Sequence, residues 1–165
     1  ANSDGLRWFL NRSWPLIKKR VPGVKLTIAG ICTDSLKKKL LRLEPDAQLL
    51  KFVDDLEPLY KSHRVFVAPL RFGSGIKVKV VNALYRGIPI VTTEEGAAGL
   101  LVKNREHLFI EQSAVDFANS VICLLKDRSI WQQFSSSSRK LSKENYTWDI
   151  VFKNVSRALH YVNDA

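Results

Sequence analysis

The sequence contains no methionine, even at its first position, and only two cysteines and three histidines in 165 residues. A chain that does not open on methionine reads as a fragment of a longer polypeptide. Cys32 and Cys123 are too few for a disulfide framework. They read as two buried, reduced thiols, the first closing a strand and the second on an apolar helix face, which suits a reducing compartment. His63, His107 and His160 are scattered, away from any His/Cys/Asp cluster at metal-ligand spacing, so they read as structural or solvent-facing and no metal is expected. No apolar run approaches the roughly 18 residues of a membrane span, and no signal-peptide pattern is present. The GxxxxGK[ST] phosphate loop is missing too. Acidic charge is in short supply: 16 Asp and Glu stand against 26 Lys and Arg, a net charge of +10. That balance favours anionic partners, namely phosphates, nucleic acid or a membrane surface, without choosing among them.

What is present is a chain that is 45% apolar, long enough for one domain with a real core. "NSDGLRWFLNRSWPLIKKRV" reads as an amphipathic helix with Leu6, Phe9, Leu10, Trp14 and Ile17 on one face, kinked or restarted at Pro15. "VKLTIAGI" (24–31), "AQLLKFV" (47–53), "RVFVAPL" (64–70) and "IPIVTT" (88–93) are short apolar runs that read as strands. Between them lie a basic-faced helix, "DSLKKKLLRL", opened by Asp34, a short helix in "DDLEPLYKSH", and "IKVKVVNALYRG", a helix stopped by Gly87. Continuous apolar strands alternating with helices are the pattern of a parallel sheet covered on both faces. After "HLFIEQ" the chain turns helical, in "AVDFANSVICLLKD", "RSIWQQFSSSSRKLSKE" and "TWDIVFKNVSRALHYVND". "SSSS" (135–138) reads as helix surface. The expected fold is α/β, a Rossmann-like doubly wound parallel sheet with a helical C-terminal tail.

One stretch carries chemistry. In "LRFGSGIKVKVVNALYRGIPIV" (70–91) a strand ends near Leu70, Gly73-Ser74-Gly75 forms a turn, and a helix starts near Ile76. This strand–turn–helix geometry points backbone N–H groups at an anion, and the turn lies at the carboxyl end of its strand, where open parallel sheets bind ligands. Lys77 and Lys79 stand where the helix dipole disfavours cations, an anomaly that a bound phosphate removes. They are about 200° apart around a helix, so at most one faces a single ligand. By spacing alone the turn is no known fingerprint, because the third glycine of GxGxxG would fall at Val78.

"DDLEPLYKSHRVFVAPLRFGSGIKVKVVNALYRGIPIVTTEEGAAGL" resembles the C-terminal, donor-binding domain of group 1 glycosyltransferases (glycosyltransferase family 4), one half of a GT-B fold. The resemblance is to the branch with the pattern "PLrxGxGiKxKvxeAlxxGxPvVtTxxGaeGl", and it extends to the opening helix and strand and to the helical tail. It implies a glycosyltransferase donor domain that binds a nucleoside-diphosphate sugar, by a retaining, metal-independent mechanism without a cofactor. The implied donor site comprises Phe52 and Val53 beside the nucleobase, Gly73, Ser74, Gly75, Ile76, Lys77 and Lys79 around the phosphates, Asn82 at the ribose, and Thr93. For Val53 an apolar core position is the simpler reading, and Thr92 and Thr93 could equally bond a phosphate or merely end a strand. The resemblance further implies that the acceptor-binding N-terminal domain and the donor domain's first strand lie outside residues 1–165, and with them the catalytic groups on the acceptor side. The chain alone is expected to be inactive.

Two departures bear on activity. Family members commonly carry glutamates, eight positions apart, where this chain has Ser74 and Asn82, and Ala98 stands where an acidic residue is frequent. Asn82 can hydrogen-bond a ribose diol, as a neutral partner weaker than a carboxylate. A catalytically degenerate or regulatory relative is therefore the alternative. A basic nucleic-acid module is a second alternative, disfavoured because the basic residues are spread through "IKKR", "KKKLLR", "KVK" and "SRKLSK" and most aromatics fall at core spacing. An epimerase of the same fold would need acidic and histidine residues not seen here. Surface polysaccharide or glycan synthesis, in the cytoplasm or against the inner face of an anionic membrane, completes the expectation.

Overall fold

The structure, a computed structural model, describes residues 2–147, 149 and 150. The segment read as a final helix, "TWDIVFKNVSRALHYVND", falls almost wholly outside the described residues, as does His160.

The chain opens with α1 (Asn2–Trp8) and α2 (Trp14–Arg20), joined by a π-helical stretch, Phe9–Ser13. Pro15, in the first turn of α2, has no N–H to give, and the ladder ahead of it widens rather than breaks. The strands are β1 (Thr27–Ala29), β2 (Gln48–Leu50), β3 (Phe66–Ala68), β4 (Ile90–Thr92) and β5 (Phe109–Ile110). The helices between and after them are α3 (Asp34–Leu43), α4 (Glu57–Ser62), α5 (Val78–Arg86), α6 (Glu94–Ala97), α7 (Ala114–Lys126) and α8 (Arg128–Asn145). Thr33, rather than Asp34, caps α3: its side chain accepts the Leu36 N–H, and Asp34 is the first helical residue. Gly87, in the left-handed region at φ 68, ends α5 as expected.

Among the described residues every strand pair is parallel, and β3, β4 and β5 are covered on both faces. On one face Phe9, Leu10, Trp14 and Ile17 pack with Val91, Phe109, Phe117 and Val121. On the other, Val80, Ala83 and Leu84 of α5 pack with Ala68, Ile88, Ile90 and Leu108. Val91 and Ile90, adjacent in β4, serve opposite faces, as the two-residue period of a strand requires. The serines of "SSSS" are not all surface, contrary to expectation. Ser135 and Ser138 are buried, and Ser138 Oγ donates to His107 O at 2.6 Å, so small side chains let α8 lie close. Neither cysteine is fully buried, and Cys32 lies beyond the end of β1. Burial and the nearby Asp127 raise the Cys123 thiol above its ordinary pKa.

The parallel strands form two sheets, β1-β2 and β3-β4-β5. Between β1 and β3 lies an apolar slot of about 560 Å³, lined by Leu26, Ile28, Val65, Val67, Val121 and Leu125 among others. The β1-β2 ladder uses Leu26 O and the Gly30 N–H, and the β3-β4 ladder uses the Phe66 N–H. By alternation, the peptide groups of Thr27, Ala29 and Val67 point into the slot. Among the described residues one side-chain tie crosses it: His63 Nε2 lies 2.8 Å from Thr27 Oγ1, while Nδ1 meets Leu59 O at 2.8 Å. That bond gives His63 a structural role, and His107 is likewise structural, its Nδ1 accepting from the Lys103 N–H.

Candidate functional site

Within each sheet the strands run parallel, so the carboxyl ends of β1 and β2 lie together, as do those of β3, β4 and β5. Gly30 and Ile31 follow β1, Phe52 and Val53 follow β2, and the glycine turn follows β3. The slot's lining includes residues past the ends of β1, β2 and β3, namely Gly30, Ile31, Phe52, Val53 and Leu70, together with Asn2 and Lys79. Phe52 is 72% exposed, a ring standing in solvent at the rim rather than in the core. Val53 is half-buried beside it. Phe52, Val53 and Lys79 therefore share one cavity wall, whereas the turn, Asn82 and Thr93 are not part of that wall.

Gly73, Ser74, Gly75 and Ile76 are exposed, and the two glycines have φ of 125 and 74. A side chain at Gly75 would meet open space but a strained backbone. Gly75→Ala is therefore expected to cost about 1–2 kcal/mol from the left-handed conformation alone and to move the amide resonances of the turn. Urea denaturation with an amide spectrum checks both.

Helix α5 starts at Val78, two residues later than the spacing predicts. Lys77 has φ −90 and ψ 93, which is extended backbone preceding the helix. Its ammonium folds back onto the turn, donating to Gly73 O at 3.1 Å, Ser74 O at 2.9 Å and Gly75 O at 2.6 Å. Lys79 points the other way, to Asn2 Oδ1 at 2.6 Å. Burial first, and then the charge of Lys77, lower its pKa. Asn82 is exposed on α5, its carbonyl in long contact with Arg86 Nη1 at 3.5 Å.

The threonines end their strand rather than face a ligand. Thr92 and Thr93 are 0% and 2% exposed. Thr92 Oγ1 donates to Ala68 O at 2.8 Å, and Thr93 Oγ1 donates to Leu70 O while accepting the Gly96 N–H to cap α6. The Thr93 hydroxyl, expected at the donor, is thus occupied within the protein. Among the described residues no three His, Cys, Asp or Glu side chains gather where a metal could be held.

Two features escaped sequence reasoning. One is Asp4, shared by Arg7 at 3.9 Å and Arg71 at 3.6 Å, which ties α1 to the chain just past β3. The other is the retreat of Lys77 onto its own turn. The only signal for it in the sequence was a lysine two to four residues after three carbonyls that glycines leave exposed.

The comparisons with known proteins decide the family. The family model described as "Glycosyl transferases group 1" matches residues 1–127. The chain belongs to that family. It is 27% identical over 161 residues to an uncharacterized 44.6 kDa protein in the cps region of Klebsiella pneumoniae, a match covering 93% of this chain and 42% of that one. It is 26% identical over 156 residues to the poly(glycerol-phosphate) alpha-glucosyltransferase of Bacillus subtilis (strain 168), covering 90% and 23%. The chain thus spans less than half the length of these relatives. Among solved structures, Anabaena HepE in complex with UDP-glucose superposes with a TM-score of 0.78 at 17% identity, covering 92% of this chain and 44% of that one. The C-terminal domain of a glycosyl transferase group 1 family protein from Francisella tularensis gives 0.71 at 14% identity, covering 89% and 80%. At these identities the structures establish the Rossmann-like half of a GT-B fold for this group 1 domain.

Proposed function

We propose that this chain is the donor-binding part of a glycosyltransferase and that it holds a nucleoside-diphosphate sugar at the carboxyl ends of its strands. The observation that carries the reading is that, in a group 1 family member, Phe52, Val53 and Lys79 line one cavity wall. In the reaction, the bond between the anomeric carbon and the donor's phosphate oxygen breaks, the acceptor hydroxyl oxygen bonds to that carbon, and the hydroxyl proton leaves. Negative charge grows on the departing phosphate, where cations and oriented N–H groups act most. Phe52 offers a face to the base, and Asn82 a neutral partner to the ribose. The transfer is retaining and metal-independent, and the donor is the only small molecule required. The K. pneumoniae relative from a cps region supports an acceptor in surface polysaccharide.

The acceptor side lies outside residues 1–165. So does one extended segment that fills the slot between β1 and β3, joins their free edges and leads into α1, whose first turn lines the slot at Asn2. Lys37, Lys38, Lys39 and Arg42, exposed along α3 with no ion pair among the described residues, give the domain a face for an anionic leaflet.

Calorimetric titration with UDP, GDP and ADP tests the reading. Saturable binding of one of them, resistant to moderate salt, is expected. Salt-sensitive binding to arbitrary oligonucleotides with no response to nucleotides would instead indicate a nucleic-acid module.

A further inference from the structure

The two lysines of the turn are chemically identical and two residues apart, but they are placed for different work. An ammonium has three hydrogens to donate. Those of Lys77 go to three successive carbonyl oxygens, of Gly73, Ser74 and Gly75. To bond a phosphate, Lys77 would have to release the turn. While it holds the turn, it gathers onto itself the carbonyl oxygens that would repel an anion.

Lys79 is in the opposite situation. It is half-buried, lines the slot with Gly30, Ile31 and Leu70, and has one neutral partner among the described residues, Asn2 Oδ1. No carboxylate pairs with it among the described residues, and Asp4, a short way along α1, is engaged by Arg7 and Arg71. A cation taken partly out of water without a counter-charge is costly unless an anion joins it. Two of its three hydrogens remain available at the place where an open parallel sheet presents a ligand.

We infer that, of the two turn lysines, Lys79 is the one that meets the donor's diphosphate, and that Lys77 is a positioning residue that shapes the turn. This rests on the donor-site reading above. The lowered pKa of Lys79 fits an ammonium that lacks a counter-charge, a deficit the diphosphate relieves.

The test combines a UDP titration of this chain with backbone order parameters of the turn from amide relaxation in the ligand-free protein. It is run on the wild type, Lys77→Ala, Lys79→Ala and Lys79→Arg. Lys79→Ala should weaken UDP by about tenfold, the loss of one charge-assisted contact, with the order of the turn unchanged. Lys79→Arg should recover most of the affinity. Lys77→Ala should lower the order parameters of Gly73, Ser74, Gly75 and Ile76 before any ligand is added. If Lys79→Ala binds UDP as the wild type does, or if Lys77→Ala leaves the turn as ordered as before, the assignment is overturned while the donor site stands. If the wild type does not bind UDP but binds GDP or ADP, the titration is read with that nucleotide. If it binds none of the three, the donor-site reading fails and the role of Lys79 fails with it.

Discussion

Gly5→Val is expected to prevent α1 from seating on the sheet, at a cost of about 3 kcal/mol or more, the upper end of what overpacking does. A β-carbon at Gly5 would overlap Pro69 O and lie 2.8 Å from Pro69 C and 3.4 Å from Leu70 Cα. These are backbone atoms, and no rotamer relieves the clash. Either α1 must lift or the strand end must move. Both routes disturb function as well as stability, because Pro69 and Leu70 lead into the glycine turn and α1 carries Asn2 to Lys79. The mutation should therefore lower the urea midpoint and weaken nucleotide binding together. Ser3→Ala, at an exposed position of the same helix, should do neither. A Gly5→Val protein with the wild-type urea midpoint would mean that the helix does not approach Pro69 so closely.

Glu44→Ala is expected to be as damaging, by about 3 kcal/mol, from a different cause. The Glu44 side chain is 5% exposed and lies 3.0 Å from Lys18 Nζ, while Trp14 Nε1 donates to it at 2.6 Å. Removing the carboxylate leaves a buried indole N–H without its acceptor and a lysine without its partner. Desolvation alone would raise the pKa of Glu44, but the hydrogen bonds from Lys18 and Trp14, the Lys18 charge and the Asp46 amide outweigh it and hold it below 4.5. A depressed folded-state pKa adds stability that is fully present above the unfolded value, near 4.5. This is lost as pH falls through the folded value. Stability of the wild type should thus decline below about pH 4.5, and Glu44→Gln, which keeps an acceptor for Trp14 but cannot titrate, should show a shallower decline. Identical acid profiles would show that Glu44 does not carry this dependence.

Much of this architecture was legible in the chain. Apolar runs such as "IPIV" have no polar alternation, so they had to be buried on both faces, and helices between them made the strands parallel. Gly87 announced the end of α5 because only the left-handed region closes a helix that way. What stayed hidden was decided by contacts distant in sequence or by hydrogen bonds that leave no periodic trace. Helix α5 starts late because the Lys77 ammonium and the preceding carbonyls hold that residue extended. Ser135 and Ser138 turn inward because α8 needs small side chains where it meets His107. Thr92 and Thr93 looked free to bond a phosphate until the carbonyls of Ala68 and Leu70 proved to hold their hydroxyls. The slot between β1 and β3 could not be read from spacing, since each strand looks complete in sequence and only their placement shows two unpaired edges facing each other. In the site, the types of residue were readable, but the division between the two lysines was not.

The central claim is that a nucleoside diphosphate binds at the rim where β1, β2 and β3 end. The most direct measurement is the amide spectrum of the chain during titration with the nucleotide that calorimetry selects. The account predicts saturable shifts confined to the 73–79 turn, Gly30 and Ile31, and Phe52 and Val53, with the amides of α3 and α8 unmoved. Shifts spread along the basic face of α3, unsaturated and erased by salt, would contradict it.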